Sequence, residues 1–103
     1  MTKIEKPTPY SSSNNPNEYE ELTDQQKSAL QLWIDETLEP LRISKYNNSP
    51  SSYYLKHLFE ESKNGFYISN GVFKGAMLAA GFEPAKRDEL NWHFKLSNKT
   101  RMI

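Results

Sequence analysis

The sequence predicts an α+β fold, with three helices followed by a small C-terminal β-hairpin. Three stretches repeat apolar residues three and four positions apart, each behind a Thr, Ser or Asn suited to capping a helix. Near the end, Leu90, Trp92, Phe94 and Leu96 alternate with Asn91, His93, Lys95 and Ser97, the two-residue period of a half-buried strand. At 103 residues, the chain has length for one domain.

Residues 1–20 are expected to form a disordered or extended N-terminal tail. Pro7-Thr8-Pro9-Tyr10-Ser11-Ser12-Ser13-Asn14-Asn15-Pro16-Asn17 has no apolar period to offset its ordering entropy. Residues 21–103 are expected to make a single domain. Its first helix starts behind Thr23, where Thr23-Asp24-Gln25-Gln26 has capping-box spacing and Asp24 suits the positive helix end. Leu30, Trp33, Ile34, Leu38 and Leu41 mark one apolar face, and Pro40 ends or bends the helix. Asn47-Asn48-Ser49-Pro50 signals a turn. A second helix then runs from Ser51 or Ser52 to Ser62 with Leu55, Leu58 and Phe59 on one side, while Tyr53, His57 and Glu61 are neighbours on another. Lys63-Asn64-Gly65 stops it, with Gly65 free to turn left-handed, and Phe66-Tyr67-Ile68 reads as a short strand.

The third helix is expected behind Ser69 or Asn70, with Phe73, Ala76, Met77 and Ala80 buried, Gly81 just past its end and Phe82 folding back. Gly71 and Gly75 each cost about 1 kcal/mol relative to Ala inside a helix, which implies close approach of another backbone or of a ligand. Asn70, Lys74 and Leu78 are assigned to the outward side. The hairpin follows: Phe82–Ala85 as a short edge broken by Pro84, Lys86-Arg87-Asp88-Glu89 as its charged loop, and Leu90–Leu96 as the returning strand. Asn98–Ile103 is a polar tail. Three helices with a terminal hairpin outline a winged-helix-like domain, although the lone strand follows the second helix here and not the first.

The apolar fraction is 36% and the aromatic fraction 13%, so six Tyr, five Phe and two Trp must supply much of the core. The absence of Cys rules out disulfides and thiolate metal sites and fits a reducing cytoplasm. No apolar run approaches the roughly 18 residues of a membrane span. Met1-Thr2-Lys3-Ile4-Glu5-Lys6-Pro7 lacks a signal-peptide core, so a cytoplasmic protein with no membrane partner is expected. The net charge of zero hides a division: residues 1–41 hold three Lys against eight acids, and residues 42–103 hold ten basic residues against five acids. The basic portion is suited to phosphate or to the protein's own acidic part. A neutral total argues against strong non-specific DNA binding.

Leu55-Lys56-His57, Gly65-Phe66-Tyr67, the run from Asn70 to Phe82 and Asn91-Trp92 together resemble a family of short, poorly characterised proteins from phages and prophages of Gram-positive bacteria. These pieces lie within about half of the chain. The resemblance implies a mobile-element origin and a host bacterial cell; it implies no catalytic residues.

The site chemistry points to binding. His57 and His93, with Glu60 or Glu61, lack zinc-motif spacing, so no catalytic residue, metal or cofactor is expected. Asn70-Gly71-Val72-Phe73-Lys74-Gly75 places glycines near a helix N-terminus but is not a Walker loop. On a winged helix, Asn70 and Lys74 of the third helix, Lys86 and Arg87 of the wing, and His93 and Lys95 of the last strand would share one side facing single- or double-stranded DNA. Tyr53, Tyr54 and Tyr67, if exposed, suit stacking on unpaired bases instead. The bland alternative for these cations is an ordinary solvated surface. A second partner class is a host protein, with the chain acting as a small phage inhibitor or adaptor on a defence or replication enzyme, in the manner of an anti-CRISPR protein. Glu20, Glu21, Asp35 and Glu36 would then make the contact, since an acidic segment mimics phosphates or docks on a basic surface.

Overall fold

A computed structural model of the chain describes residues 12–47 and 50–102. Helix α1 (Asp24–Trp33) begins as expected: Thr23 Oγ1 accepts from the Gln26 N–H at 3.1 Å, and the Gln26 side chain accepts from the Thr23 N–H at 2.9 Å. Beyond Trp33 the coil widens into a π turn (Ile34–Leu38) and then tightens into a 3-10 turn (Glu39–Leu41). Pro40 explains the change, because it has no N–H and its ring excludes ordinary helical pairing with the carbonyl four residues back. The Glu39 N–H reaches back five residues to Ile34 O, and Leu30, Ile34 and Leu38 all stay buried.

Helix α2 (Ser52–Glu61) is capped by Ser51, and helix α3 (Asn70–Ala79) by Ser69, whose Oγ accepts from the Val72 N–H at 3.1 Å. At the end of α3, Gly81 takes φ +86°. Its N–H bonds Leu78 O at 3.0 Å while the Phe82 N–H bonds Met77 O at 2.8 Å, the paired contacts of a Schellman cap. Gly65 is not left-handed: Gly81 is the positive-φ glycine among the described residues. Gly65 is needed because a Cβ there would strike the carbonyl oxygens of Phe59 and Glu60.

α3 is the central element, buried from Asn70 to Met77. Around Phe73, Ala76 and Met77 lie Leu30, Ile34 and Leu38, Leu55 and Phe59 of α2, and Trp92, Phe94 and Leu96. The Trp33 ring meets Phe59 and Phe73 edge-on, at 5.6 and 6.4 Å. Of the segment expected as a tail, residues 1–11 lie outside the described residues. Ser12–Asn14 and Pro16–Glu21 form two short 3-10 helices laid across α3. Theirs is the backbone that Gly71 and Gly75 admit, for a Cβ on Gly71 would collide with Asn15 O and one on Gly75 with Pro16 O. Tyr19 is buried beside Gly75, and Gln31 Nε2 joins the layers by donating to Tyr19 Oη at 3.1 Å and Ala76 O at 2.9 Å.

The expected α+β, winged-helix-like architecture is not found: the fold is helical, with no β-strand among the described residues. Phe66–Ile68 is an irregular connection rather than a strand. The proposed hairpin keeps one bond, from the Ala85 N–H to His93 O at 2.9 Å. Pro84 offers no donor, and Phe82 is already held by the helix cap. Residues 92–97 lie instead along the connection between α1 and α2. Bonds run from the N–H groups of Ile43, Asn47 and Ser52 to the carbonyls of Lys95, Phe94 and Trp92, at 3.0, 3.2 and 2.7 Å. Five positions separate Asn47 from Ser52 where two separate Phe94 from Trp92, so no regular ladder forms. Two isolated bridges remain, Arg42 with Leu96 and Ser51 with His93. The period-two reading of the row holds for Trp92, Phe94 and Leu96, which are buried beside an exposed Lys95, and fails at Leu90, which is half-buried. Among the described residues, no helix is long and apolar enough to cross a membrane.

Candidate functional site

A cleft of about 440 Å³ opens between the first turns of α2 and α3, lined among others by Tyr53, Lys56, His57, Tyr67, Asn70 and Asn91. α2 turns Leu55 and Phe59 inward, which leaves Tyr53 and His57, four residues apart, together on the rim with ring centroids 4.6 Å apart. Tyr67 stands between Phe66, packed edge-on against Phe59 at 5.1 Å, and the buried Ile68. With both neighbours turned to the core, its own ring faces solvent. Tyr53 is 51% exposed and Tyr67 81%, unusual for large aromatic side chains in a core otherwise built from them.

Lys56 lies between these rings, its Nζ 5.4 Å from the Tyr53 centroid and 5.2 Å from that of Tyr67. Its charge is committed to Glu60, 3.0 Å away. Glu60 also accepts the Ile68 N–H at 3.0 Å and lies 2.9 Å from His57 Nδ1. Burial pushes the Glu60 carboxyl up, but the Ile68 N–H, Lys56 and His57 outweigh it and hold the group below the usual carboxylate range. Because Glu60 engages His57 at Nδ1, Nε2 is the ring nitrogen left to meet a ligand.

The floor is a web of amides. Asn70 accepts from Ser52 Oγ at 2.9 Å and donates to Asn14 Oδ1 at 2.9 Å, Leu90 O at 3.1 Å and Asn91 Oδ1 at 3.2 Å. Asn91 therefore accepts with its oxygen, leaving its amide N–H groups for another acceptor. Beneath it, Lys74 is fully buried, with Nζ 3.3 Å from Asn14 O, 3.5 Å from Glu89 O and 4.9 Å from the Trp92 ring centroid. Desolvation lowers its pKa from 10.5 to about 8.

The residues expected to face DNA do not form one surface. Asn70 and Lys74 lie inside, because the N-terminal segment and the loop after Ala85 cover the side of α3 assigned to solvent. Lys86 is exposed, while Arg87 pairs with Glu83 at 2.7 Å. The His93 side chain is 19% exposed and 3.9 Å from Glu89. Lys95 is exposed over Tyr46, 5.0 Å from its centroid. Of the acids, Glu20 pairs with Lys27 at 3.0 Å, and Glu21, Asp35 and Glu36 are exposed. Tyr53 and Tyr67 meet the exposure that the stacking reading required; Tyr54 is half-buried. Sequence reasoning missed the Lys56–Glu60 pair, whose four-residue spacing on a helix was its available signal. Asn14 and Asn91 carried no such signal, since their roles depend on contacts distant in sequence.

No protein-family model, curated protein or solved structure matches the chain. No group of three or more His, Asp or Glu residues suited to a metal ion occurs among the described residues.

Proposed function

We propose that the protein is a non-enzymatic binding module that takes an unpaired base of a single-stranded nucleic acid into the Tyr53/Tyr67 cleft. The observation that carries this is the pairing of two solvent-facing tyrosines with a polar floor. A base has two π faces and a polar edge. The rings suit the faces, and the Asn91 amide and His57 Nε2 suit the edge. The volume of about 440 Å³ falls in the usual range of small-ligand clefts. A duplex hides the faces of its bases, and α3 has no free Asn70 or Lys74 to carry into a groove, so single strands are the favoured form. Lys56 is already paired, so few phosphates are neutralised and salt dependence is shallow, with a log–log slope of about −0.7 per phosphate contacted. A phage or prophage setting in a Gram-positive host is part of the proposal and rests on the sequence resemblance alone.

Fluorescence anisotropy with a labelled single strand and the matching duplex tests this. The single strand is expected to bind more tightly, and Tyr53→Ala and Tyr67→Ala each to weaken it by about 1–3 kcal/mol, the usual worth of one stacked base. Equal affinity for duplex, or indifference to both substitutions, refutes the reading.

A different face favours a second reading, a host-protein inhibitor or adaptor. Asp35 and Glu36 are exposed beside Leu32, which is 54% exposed, and Leu32, Trp33, Glu36 and Phe59 border a second cleft of about 340 Å³. Acidic groups around an apolar anchor suit a basic protein surface.

A further inference from the structure

The segment from Asn91 to Lys95 joins the aromatic cleft to a second cluster. Trp92 and Phe94 turn into the core, while Asn91 and His93 stay half-buried and Lys95 is exposed. At the Asn91 end stand Tyr53 and Tyr67. At the Lys95 end stands Tyr46, 45% exposed with the Lys95 ammonium 5.0 Å from its ring centroid. Backbone contacts fix this end: the Ile43 N–H donates to Lys95 O at 3.0 Å, and the Asn47 N–H to Phe94 O at 3.2 Å. Lys95 has no acidic partner among the described residues. Nearby Glu83 is bound to Arg87 at 2.7 Å, and Glu39 to Arg42 at 2.9 Å.

We propose that Tyr46 and Lys95 form a second nucleotide site, so that a single strand runs along the Asn91–Lys95 segment, with one base in the Tyr53/Tyr67 cleft and another on Tyr46. This rests on the stacking reading of the cleft and extends it from one base to a strand. Tyr46 supplies the second π face, and Lys95, the least encumbered cation there, meets the phosphate between. Four residues separate the two ends, at most about 13 Å of extended chain. A stacked strand rises about 3.4 Å per nucleotide, which sets the footprint at about four nucleotides. His93, covered on one side by Glu89, lies midway and contributes contact rather than an anchor.

The test is a length series of labelled mixed-base oligonucleotides, of two, four, six and eight nucleotides, titrated against the full chain. Affinity is expected to climb to about four nucleotides and then level. Lys95→Glu and Tyr46→Ala are expected to weaken the six-mer about tenfold while leaving the two-mer unchanged, whereas Tyr67→Ala weakens every length. Lys95 is exposed, so its variant keeps the fold even where loss of the Tyr46 ring does not. Six-mer affinity unchanged in Lys95→Glu overturns the second site and leaves the cleft reading standing. Absence of binding at every length by the unaltered protein overturns both.

Discussion

Two sides of α3 are held in place by opposite physics. On one, Gly71 and Gly75 let the backbone of Asn15 and Pro16 lie directly on the helix. On the other, Asn70 and Lys74 reach out to Asn14, Glu89, Leu90 and Asn91, and polar side chains set the distance. The first contact depends on volume and is blind to pH. The second depends on hydrogen bonding and charge, and it carries the floor of the cleft. A single ten-residue helix thus holds Asn15 and Pro16 by shape, and both Asn14 and the loop around Asn91 by chemistry.

Adding volume on the glycine side is expected to have the largest effect. Gly71→Ala and Gly75→Ala each place a methyl group against a carbonyl oxygen that cannot yield without moving the segment, a cost of about 1–3 kcal/mol each and more for the pair. Thermal unfolding measures the cost, and amide hydrogen exchange locates it. Faster exchange confined to residues 12–21 would show the segment lifting off while α3 stays intact. Unchanged stability would mean that the contact is loose. Next comes the polar side. Asn70→Ala removes the partner of the Asn14 and Asn91 side chains and of Leu90 O, and leaving such groups unsatisfied costs about 1–3 kcal/mol. It should also weaken ligand binding in the cleft without speeding amide exchange across Pro16–Glu21, and that contrast with Gly75→Ala separates the two contacts.

The same division decided what was legible from sequence. Helix starts and stops rest on neighbours within four residues, so Thr23 with Gln26, Ser69, and Gly81 with Phe82 were readable in advance. The glycines announced a close backbone, though not which one. The alternation revealed an inner face at Trp92, Phe94 and Leu96 but not the neighbouring chain. Its partner proved to be the connection between α1 and α2, some fifty residues earlier, and not the adjacent Phe82–Ala85. Lys74 was placed outside because a helical repeat ranks faces by composition, and nothing local signals that two distant segments cover this one. Tyr53 and Tyr67 were legible as stacking candidates on the condition of exposure, which only the packing of their neighbours decides.

The smallest effect expected is also the most specific to the polar side. Lys74 has a folded-state pKa of about 8 against 10.5 in the unfolded chain, so between these values the unfolded state holds more protons and stability rises with pH. Below pH 8 the full cost of the buried charge is present. Above 10.5 it is gone. The shift corresponds to at most about 3 kcal/mol, and attraction of the ammonium to the Trp92 face, which draws the pKa back toward 10.5, brings the lower bound to about 1 kcal/mol. In a domain of this size that is a rise in melting temperature of roughly 4–8 °C. Lys74→Met keeps the length of the side chain and removes the titration, so the rise should be absent from the variant and appear in full in the difference between the two proteins. A melting temperature that falls over this window in the parent, relative to Lys74→Met, would mean that the carbonyls and the indole ring favour the ammonium more than burial penalises it. Charge at Lys74 would then be a stabilising contact of the loop rather than a tolerated one.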